Sequence, residues 1–555
     1  MTLNQLDQLF FLPLGGAGEI GMNLNLYAYG PPNDETWVMV DLGITFGSGE
    51  QPGVDVIMPD PTFIEERRDR LAGIVLTHAH EDHLGAVPYL WDRLRCPIYA
   101  TPFTISILKR KLSEIEYGDQ VKIIEVPLSG RFNVGPFDME LITLTHSIPE
   151  PNAIAIRTPL GNVLHTGDWK FDPAPVTGEA SDKEALSRLG DEGVLALVCD
   201  STNVFTPGKS GSESDILDSL KQIIGACQGR VVIACFATNV ARLETIAKAA
   251  SYNNRNVVLA GRSLWRINEA ARENGYLSNV DNFIDAEDAG FIPDDKLLII
   301  CTGSQGEPRA ALSRIASGDH RHINLKYGDT VIFSARSIPG NEQSISSLQN
   351  KLMRAGVKVI TAREYPIHVS GHPARDELTQ MYQLTRPKVS IPVHGELRHL
   401  KEHADLAIKC QVPKAIVINN GSLVHLAPSE AKITDEVTSG RLVLDGNRLI
   451  SLKSEFIRCR TRALYNGSAV LSAALTSKGE CVGKPQLTTI GLIDDGEDII
   501  LEEAIVAAKH ALKKLTSLEK KDDNIVSEAM RISVRRMFRK TLNKNPQTTV
   551  HLIRI

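Results

Sequence analysis

One short run of the chain is dense in residue types that bind metal ions. Residues 78–83 read HAHEDH, so imidazoles and carboxylates dominate the run. Hydrolysis by metal ions requires several neutral imidazoles and carboxylates that converge and leave a position for water. We expect His78 and His80 to face one centre, and Asp82 and His83 to face a second. The simpler alternative, a solvated polar loop, is disfavoured by this density in a chain with 15 histidines.

Further candidate ligands follow predicted strands elsewhere in the chain. The apolar segment LITLT directly precedes His146, NVLHT precedes Gly167-Asp168, and His394 lies in PVHGE. Because neighbouring strands of an open α/β sheet end at a common edge, these side chains can converge with His78. A lone histidine after a strand often forms only hydrogen bonds, and this alternative applies to His146. Asp168 is the candidate that bridges both ions, and His394 completes the ligand set.

The arrangement of strands and helices predicts an α/β protein with an insertion. Short apolar strands alternate with helical stretches, as in RVVIACF followed by NVARLETIAKAASY. From about residue 206 the β-α units become regular, which predicts a parallel sheet with its own core. The predicted parts are a metal-binding domain over 1–205 and 366–445, an inserted domain over 206–365, a linker over 446–462 and a C-terminal domain over 463–555.

Composition and charge exclude several classes of protein. The net charge of −6 means that any nucleic-acid binding must come from local basic patches or from metal ions. None of the eight cysteines forms a Cys-x-x-Cys pair, which indicates free thiols in a reducing compartment. The N-terminus lacks the pattern of a signal peptide, and no apolar run approaches the ~18 residues of a membrane span. We expect a cytoplasmic protein without membrane association.

A glycine-rich motif suggests a nucleotide site that the next residues contradict. Residues 16–21, GAGEIG, fit the dinucleotide fingerprint, and Asp41 lies some twenty residues further on. The fingerprint requires a helix that opens at its third glycine and receives the pyrophosphate. Residues 23–29 instead alternate as a strand does. We therefore expect no dinucleotide site here.

Together these motifs resemble a known superfamily. HAHEDH resembles the His-x-His-x-Asp-His motif of the metallo-β-lactamase superfamily. Its other motifs are matched by Asp41, His146 and Asp168. Asp200 in DSTN, His372 in HVSGH and His394 in PVHGE resemble the three additional motifs of the nucleic-acid-processing β-CASP branch. This resemblance implies a metallo-β-lactamase αββα sandwich, interrupted by a β-CASP parallel α/β domain and followed by a small α+β C-terminal domain.

A narrower resemblance covers nearly the whole chain. The segments GGAGEIGMN, HEDHLGAVPYL, GDWKFDPAPVTGE, TGSQGEP and IPGNE resemble the bacterial ribonuclease J family. Glu150-Pro151-Asn152 and Ala335-Arg336 depart from its pattern. The resemblance implies 5′→3′ exonuclease activity on 5′-monophosphorylated single-stranded RNA, endonuclease activity, and a role in RNA decay and in ribosomal and messenger RNA maturation. It also implies a homodimer or homotetramer, formed with help from the C-terminal domain.

The resemblance assigns roles to the ligands. It implies two divalent ions that activate water. Zn²⁺ is the preferred candidate, with Mn²⁺ or Mg²⁺ as alternatives. The first ion is held by His78, His80 and His146. The second is held by Asp82, His83 and His394. Asp168 bridges both ions, and with Asp82 and His372 it makes up the implied catalytic set.

Other residues receive supporting roles by the same resemblance. His372 stabilises the transition state or donates a proton to the leaving 3′ oxygen. Asp41 and Asp200 orient imidazoles, unless each merely caps a turn. Ser370, Gly371 and His372 offer a pocket for the terminal phosphate. Gly303 and Ser304 either bring backbone amides to the RNA or form a simple strand-to-helix turn.

Three other functions compete with this interpretation. A DNA nuclease of the same branch is disfavoured because His394 resembles the RNA-processing form of the motif, where DNA-directed relatives tend to carry valine. A thioesterase or lactamase is disfavoured because residues 206–365 form a whole additional domain. An inactive scaffold subunit would be expected to have lost ligands, and here every one is present.

Overall fold

The computed structural model describes residues 7–47, 51–338, 340–494 and 496–555. Pro339, within the IPGNE segment, lies outside this description. The chain folds as two compact units. One runs to Thr45 and resumes over Met58–Gly440, and the other comprises Phe46–Ile57 and Arg441–Ile555.

Two facing sheets form the centre of the first unit. The strands of the first sheet are, in spatial order, Lys432–Glu436, Ser422–Ala427, Gln8–Gly15, Leu24–Gly30, Thr36–Val40, Leu71–Val75, Ile98–Ala100 and Ile123–Glu125. Those of the second sheet are Arg131–Val134, Phe137–Thr143, Asn152–Thr158, Gly161–His165, Val194–Asp200, Val389–Val393 and Lys414–Ala415. Side chains of both sheets, among them Phe11, Tyr27, Ile154 and Val198, share one buried core. The sheets therefore pack face to face.

Helices cover the outer faces of this sandwich. On the second sheet they are Lys183–Glu192, Arg375–Thr385 and Leu397–Lys409. Leu186, Leu378 and Leu406 of these helices share a core with Leu164 of the sheet. On the first sheet, Val87–Leu94 and Pro102–Leu112 connect parallel strands and bury their apolar residues. The predicted αββα sandwich is confirmed.

The insertion is a six-stranded parallel sheet. Its strands are, in order, Ile284–Asp285, Asn256–Ala260, Leu297–Cys301, Val231–Ala234, Thr330–Phe333 and Lys358–Thr361. Its helices are Asp215–Gly225, Val240–Tyr252, Arg262–Glu273, Ala311–Ser317 and Glu342–Arg354. The inner strands Leu297–Cys301 and Val231–Ala234 are apolar and buried along their whole length, as expected where helices pack on both faces of a parallel sheet. The predicted parallel α/β insertion is confirmed.

A buried arginine holds the two chain segments that connect the insertion to the sandwich. Arg242, on helix Val240–Tyr252, is fully buried. Its guanidinium donates to both carboxylate oxygens of Glu213, on the segment that enters the insertion. It also donates to the Ser334 carbonyl at 2.7 Å and to the Ile367 carbonyl, on the leaving segment, at 3.2 Å. One side chain thus fixes both segments.

The second unit is a small α+β structure. Strands Arg441–Asp445 and Arg448–Ser451 form a hairpin, and helix Glu455–Asn466 follows. The predicted linker range thus contains a strand and most of a helix, while the domain limits themselves stay predictions. Strands Cys481–Ile490, Ser468–Leu475 and Gln547–Arg554 form a sheet, which shares a core with helices Asp498–Lys514 and Asp523–Leu542. None of the described helices combines the length and apolar character that a bilayer crossing requires.

Replacing Arg242 by methionine is expected to destabilise the chain strongly. Arg242→Met leaves the Glu213 carboxylate buried without its cation, so the free energy of unfolding should fall by about 3–5 kcal/mol. Urea unfolding measures the loss. Lys221→Met is the matched control, since it breaks an ion pair with Asp218, whose side chain is 84% exposed, and should cost under about 1 kcal/mol. Equal losses in the two variants would contradict the role given to Arg242.

Candidate metal centre

The HAHEDH run lies between a strand of the first sheet and the next helix, and extends into that helix. Strand Leu71–Val75 ends shortly before His78, and helix Glu81–Leu84 begins directly after His80. His80 has an extended backbone, with φ −74° and ψ 152°, so the chain turns at this residue. The turn lets His78 and His80 project from the loop while Asp82 and His83 project from the first helical turn. Both His78 and His83 are buried.

Three imidazoles converge in the first donor set. Nδ1 of His80 lies 3.0 Å from Nε2 of His78 and 3.1 Å from Nε2 of His146. Nε2 of His146 also lies 3.8 Å from Oδ2 of Asp168. The ligand-type atoms of these four residues all lie within 4.8 Å of one another. The structure thus brings together the residues predicted for one ion.

The second donor set uses the same carboxylate. Oδ2 of Asp168 lies 3.3 Å from Nε2 of His83 and 3.6 Å from Nε2 of His394. Oδ2 of Asp82 lies 3.7 Å from each of these two imidazole nitrogens. Asp168 is therefore shared between the sets, as a bridging ligand would be.

The electrostatics of the cluster fit two divalent cations. Burial, reinforced by neighbouring imidazoles, lowers the pKa values of His78 and His146, which makes them neutral lone-pair donors. Burial alone would also lower the pKa of His83, but the carboxylates around it raise its pKa well above the ordinary value. Oδ1 of Asp168 is buried and has no hydrogen-bond partner within the described chain. A mixed imidazole and carboxylate set of this kind suits zinc or manganese.

Asp41 orients one of the ligand imidazoles. Nδ1 of His83 donates to Oδ2 of Asp41 at 2.7 Å, which directs Nε2 of His83 toward the donor set. The Thr77 backbone amide and hydroxyl each donate to the same carboxylate at 2.8 Å. Asp41 therefore has the contacts of the orienting role that the sequence resemblance implied.

His372 lies beside both donor sets and forms a hydrogen bond with Asp200. Its Nδ1 lies 2.8 Å from Oδ2 of Asp200 and 3.9 Å from Oδ2 of Asp168. Its ring centroid lies 5.0 Å from that of His146. Burial alone would lower its pKa, but the charges of Asp200 and Asp168 outweigh burial and raise it to about 9. These two carboxylates therefore favour the protonated form of His372 in the metal-free cluster.

Two supporting groups were missed by the sequence reasoning. The side-chain amide of Asn23 lies against Nδ1 of His394, with Nδ2 at 3.0 Å and Oδ1 at 3.2 Å. With Oδ1 as the acceptor, Nε2 of His394 would be left for a metal ion. The Gly371 carbonyl lies 2.6 Å from Nδ1 of His146 and accepts from it. A side chain at Gly371 would place its Cβ 2.6 Å from the His146 ring, so glycine is required there. Asn23 was noticed only as the start of a strand, and a backbone carbonyl leaves no signal in a sequence.

The glycine-rich run that fits a dinucleotide fingerprint supports a ligand loop instead. A strand, Leu24–Gly30, follows it where the fingerprint requires a helix. The His394 amide donates to the Gly16 carbonyl at 2.6 Å. Ala17–Gly18 pairs with Gly395–Glu396 as a two-stranded ladder. The run therefore holds the segment that presents His394.

A polar cavity adjoins the cluster. It has a volume of about 590 Å³, and both Ser304 and Ser370 border it. Its cationic lining residues are Lys209, Arg336 and Arg363. Ser370 Oγ accepts from the His372 amide at 3.2 Å, so one residue of the cavity wall contacts the backbone of His372. Two other residues predicted to contact RNA are glycines. Gly371 faces His146, as described above, and Gly303 has a left-handed backbone, with φ +111°.

The fold and this cluster define a metallo-β-lactamase-type hydrolase with a β-CASP insertion. Four family models match the chain in order. They are the metallo-beta-lactamase superfamily over 23–225, the ribonuclease J beta-CASP domain over 228–352, the Zn-dependent metallo-hydrolase RNA specificity domain over 356–413 and the ribonuclease J C-terminal domain over 456–555.

Comparison with full-length relatives identifies the family within this class of hydrolases. A ribonuclease J of Sinorhizobium meliloti is 42% identical over 99% of this chain and 98% of its own length. One from Mycolicibacterium smegmatis is 37% identical over 98% and 96%, respectively. The chain belongs to the ribonuclease J family of metal-dependent ribonucleases. A crystal structure of a protein of unknown function from Enterococcus faecalis V583 shares the fold, with a TM-score of 0.52, 17% identity, and coverage of 76% of this chain and 100% of that one.

Replacing Asp41 by asparagine is expected to weaken metal binding. Asp41→Asn removes the charged acceptor that fixes the tautomer of His83, so the Zn²⁺ affinity should fall by about 10–100-fold. Competition with a chromophoric chelator measures the affinity. Asp119→Asn, which removes the same charge from an exposed turn, should leave it unchanged. Unaltered affinity in Asp41→Asn would mean that the contact with His83 does not tune the ligand.

Proposed function

We propose that this ribonuclease acts on single-stranded RNA in two ways: 5′→3′ exonuclease action from 5′-monophosphorylated ends, and endonuclease action. The observation that carries the proposal is the sharing of Asp168 between two donor sets, with His372 alongside. Two bound ions, Zn²⁺ first and Mn²⁺ or Mg²⁺ as alternatives, would acidify the attacking water and offset charge on the phosphoryl oxygens. The protein's own groups supply the remaining steps.

His372 is the proposed proton donor to the leaving 3′ oxygen. With Nδ1 bonded to Asp200, Nε2 is the nitrogen that can give up a proton. The carboxylates of Asp200 and Asp168 raise the pKa of His372, which favours the protonated form that a proton donor requires. The same positive charge also stabilises the charge that develops on the phosphoryl group.

The cationic cavity is the proposed pocket for the 5′-phosphate. A terminal monophosphate carries a charge of roughly −1.5 to −2 and three acceptor oxygens, which suits a cavity lined by arginine, lysine and serine side chains. Ser370 lies two residues from His372, so a phosphate held at Ser370 would bring the first phosphodiester close to the proposed proton donor. The enzyme would then release one nucleotide at a time from the 5′ end. Endonuclease action would use the same cluster with the pocket empty.

The wider role follows family membership and is part of the same proposal. We infer that the enzyme takes part in RNA decay and in the maturation of ribosomal and messenger RNA. We also infer a homodimer or homotetramer. The cytoplasmic location stays a prediction of the sequence.

Comparison of 5′ ends tests the proposed activity. One labelled RNA bearing a 5′-monophosphate, 5′-triphosphate or 5′-hydroxyl is incubated with the chain, beside a single-stranded DNA of matched sequence. We expect stepwise release of mononucleotides from the monophosphorylated RNA, because only that end fits the cavity, and its loss in Asp82→Ala/His83→Ala. Equal cleavage of the DNA, or full activity of the double variant, would overturn the proposal.

Removal of His372 separates chemistry from binding. His372→Ala should lower kcat by about 10²–10⁴-fold, since a positioned proton donor contributes that much, and should leave KM within a few-fold. Steady-state kinetics on the monophosphorylated RNA give both values. His551→Ala, on an exposed strand position of the second unit, serves as the control and should leave both unchanged. An increase in KM alone would assign His372 to binding and not to proton transfer.

A further inference from the structure

A buried carboxylate that the proposed mechanism does not use lies close to the metal cluster. Glu150 follows the candidate ligand His146 by four residues and is only 7% exposed. Its Oε2 accepts from the Phe103 amide at 2.9 Å, in the first turn of helix Pro102–Leu112. Its Oε1 accepts from the Tyr276 hydroxyl at 3.0 Å. Phe103 belongs to the sandwich and Tyr276 to the insertion, so the side chain of Glu150 joins the two.

The backbone at Glu150 is held in an unfavourable conformation. Its φ of +58° is in the left-handed region, which a residue with a bulky side chain rarely adopts. Such strain persists only where the surroundings over-determine it, and it concentrates at functional sites. Asn152 supplies part of this restraint, since its side-chain amide donates to the Glu150 carbonyl at 2.7 Å. The Asn152 backbone amide donates to the Thr77 carbonyl at 3.1 Å, next to His78. The Glu150 loop thus connects two candidate ligands, His78 and His146.

Tyr276 brings the insertion to this loop. It follows helix Arg262–Glu273, and its ring meets the Phe103 ring edge-on at a centroid distance of 6.0 Å. Burial, together with the charge of Glu150, raises the pKa of Tyr276, so its hydroxyl remains a hydrogen-bond donor. Other polar contacts between the same two regions, such as Arg266 with Glu114 at 2.5 Å, are half exposed. The contact of Tyr276 with Glu150 is part-buried, so solvent screens it less than the exposed pair of Arg266 and Glu114.

We propose that Glu150 is a positioning residue: its contact with Tyr276 fixes the position of His146. The position of His146 in turn sets the metal affinity of the first donor set, which comprises His78, His80, His146 and Asp168. The inference rests on the metal-dependent function proposed above. Nδ1 of His146 is bonded to the Gly371 carbonyl, and the Pro151 carbonyl of the Glu150 loop accepts from the Leu144 amide at 3.0 Å, two residues before His146. A shift of the Glu150 loop would therefore move Nε2 of His146 relative to the other donors. Since linkage is reciprocal, ion binding at this set also favours docking of the insertion.

A Zn²⁺ titration of the full chain tests this role. The metal-free protein is titrated against a chromophoric chelator, and Co²⁺ absorption spectra report the ligand geometry. Tyr276→Phe removes only the hydroxyl, and Glu150→Gln keeps the size while removing the charge. Each should weaken one of the two Zn²⁺ equivalents by about tenfold and leave the other unchanged. Excess Zn²⁺ should then restore kcat of Tyr276→Phe on RNA, which a general loss of structure would not allow.

Arg266→Ala is the matched control, because it breaks a contact between the same two regions without touching Glu150. It should bind both equivalents as the unmodified chain does. Unchanged Zn²⁺ affinity in Tyr276→Phe and Glu150→Gln, or an equal loss in Arg266→Ala, would overturn the positioning role while the ribonuclease proposal stands. If the unmodified chain binds no Zn²⁺, the metal centre itself fails, and the positioning role fails with it.

Discussion

The sharing of one buried carboxylate by two groups of imidazoles is the constraint on which the rest of this structure depends. Asp168 is 3% exposed, yet donor atoms from four other segments of the chain lie within a few ångströms of it. Bringing such groups together without a cation leaves a buried negative charge and opposed lone pairs, which is costly. The fold therefore surrounds the cluster with fixed partners. Asp41, Asp200 and the Gly371 carbonyl each hold one imidazole in a single orientation.

The same constraint explains why buried charges connect the cluster to the insertion. Lys170 and Asp172, just after Asp168, form a buried ion pair at 3.0 Å. Asp172 also accepts from the backbone amide of Glu213, whose side chain binds Arg242. A substrate that is held partly by the insertion and cut at the cluster in the sandwich requires the insertion and the sandwich to keep a constant separation. Small displacements of the reacting groups would lower the reaction rate strongly. Directional, buried polar contacts fix such a separation better than apolar packing does.

The predictable and unpredictable parts of this site differ in their physical origin. His78, His146 and Asp168 each follow an apolar strand, one in the first sheet and two in the second, and these strands end at the same end of the sandwich, so local patterns were sufficient to group them. Asn23 and Gly371 act through contacts with residues far away in the chain, and one of them acts through its backbone. No local pattern encodes such contacts. The strand Arg448–Ser451, which lies within the predicted linker range, was hard to predict for another reason: it is short and half exposed, and therefore has little apolar periodicity.

An acidic chain that binds RNA has to concentrate its positive charge. With a net charge of −6, the long-range field repels a polyanion, and binding depends on cations within a Debye length of the phosphates. Lys209, Arg336 and Arg363 line one cavity beside the cluster, where the proposed ions add further positive charge. A doubly charged terminal phosphate gains more from such a compact group than a singly charged internal phosphodiester does. Preference for a phosphorylated end of the chain can therefore arise from charge placement alone, without recognition of any base.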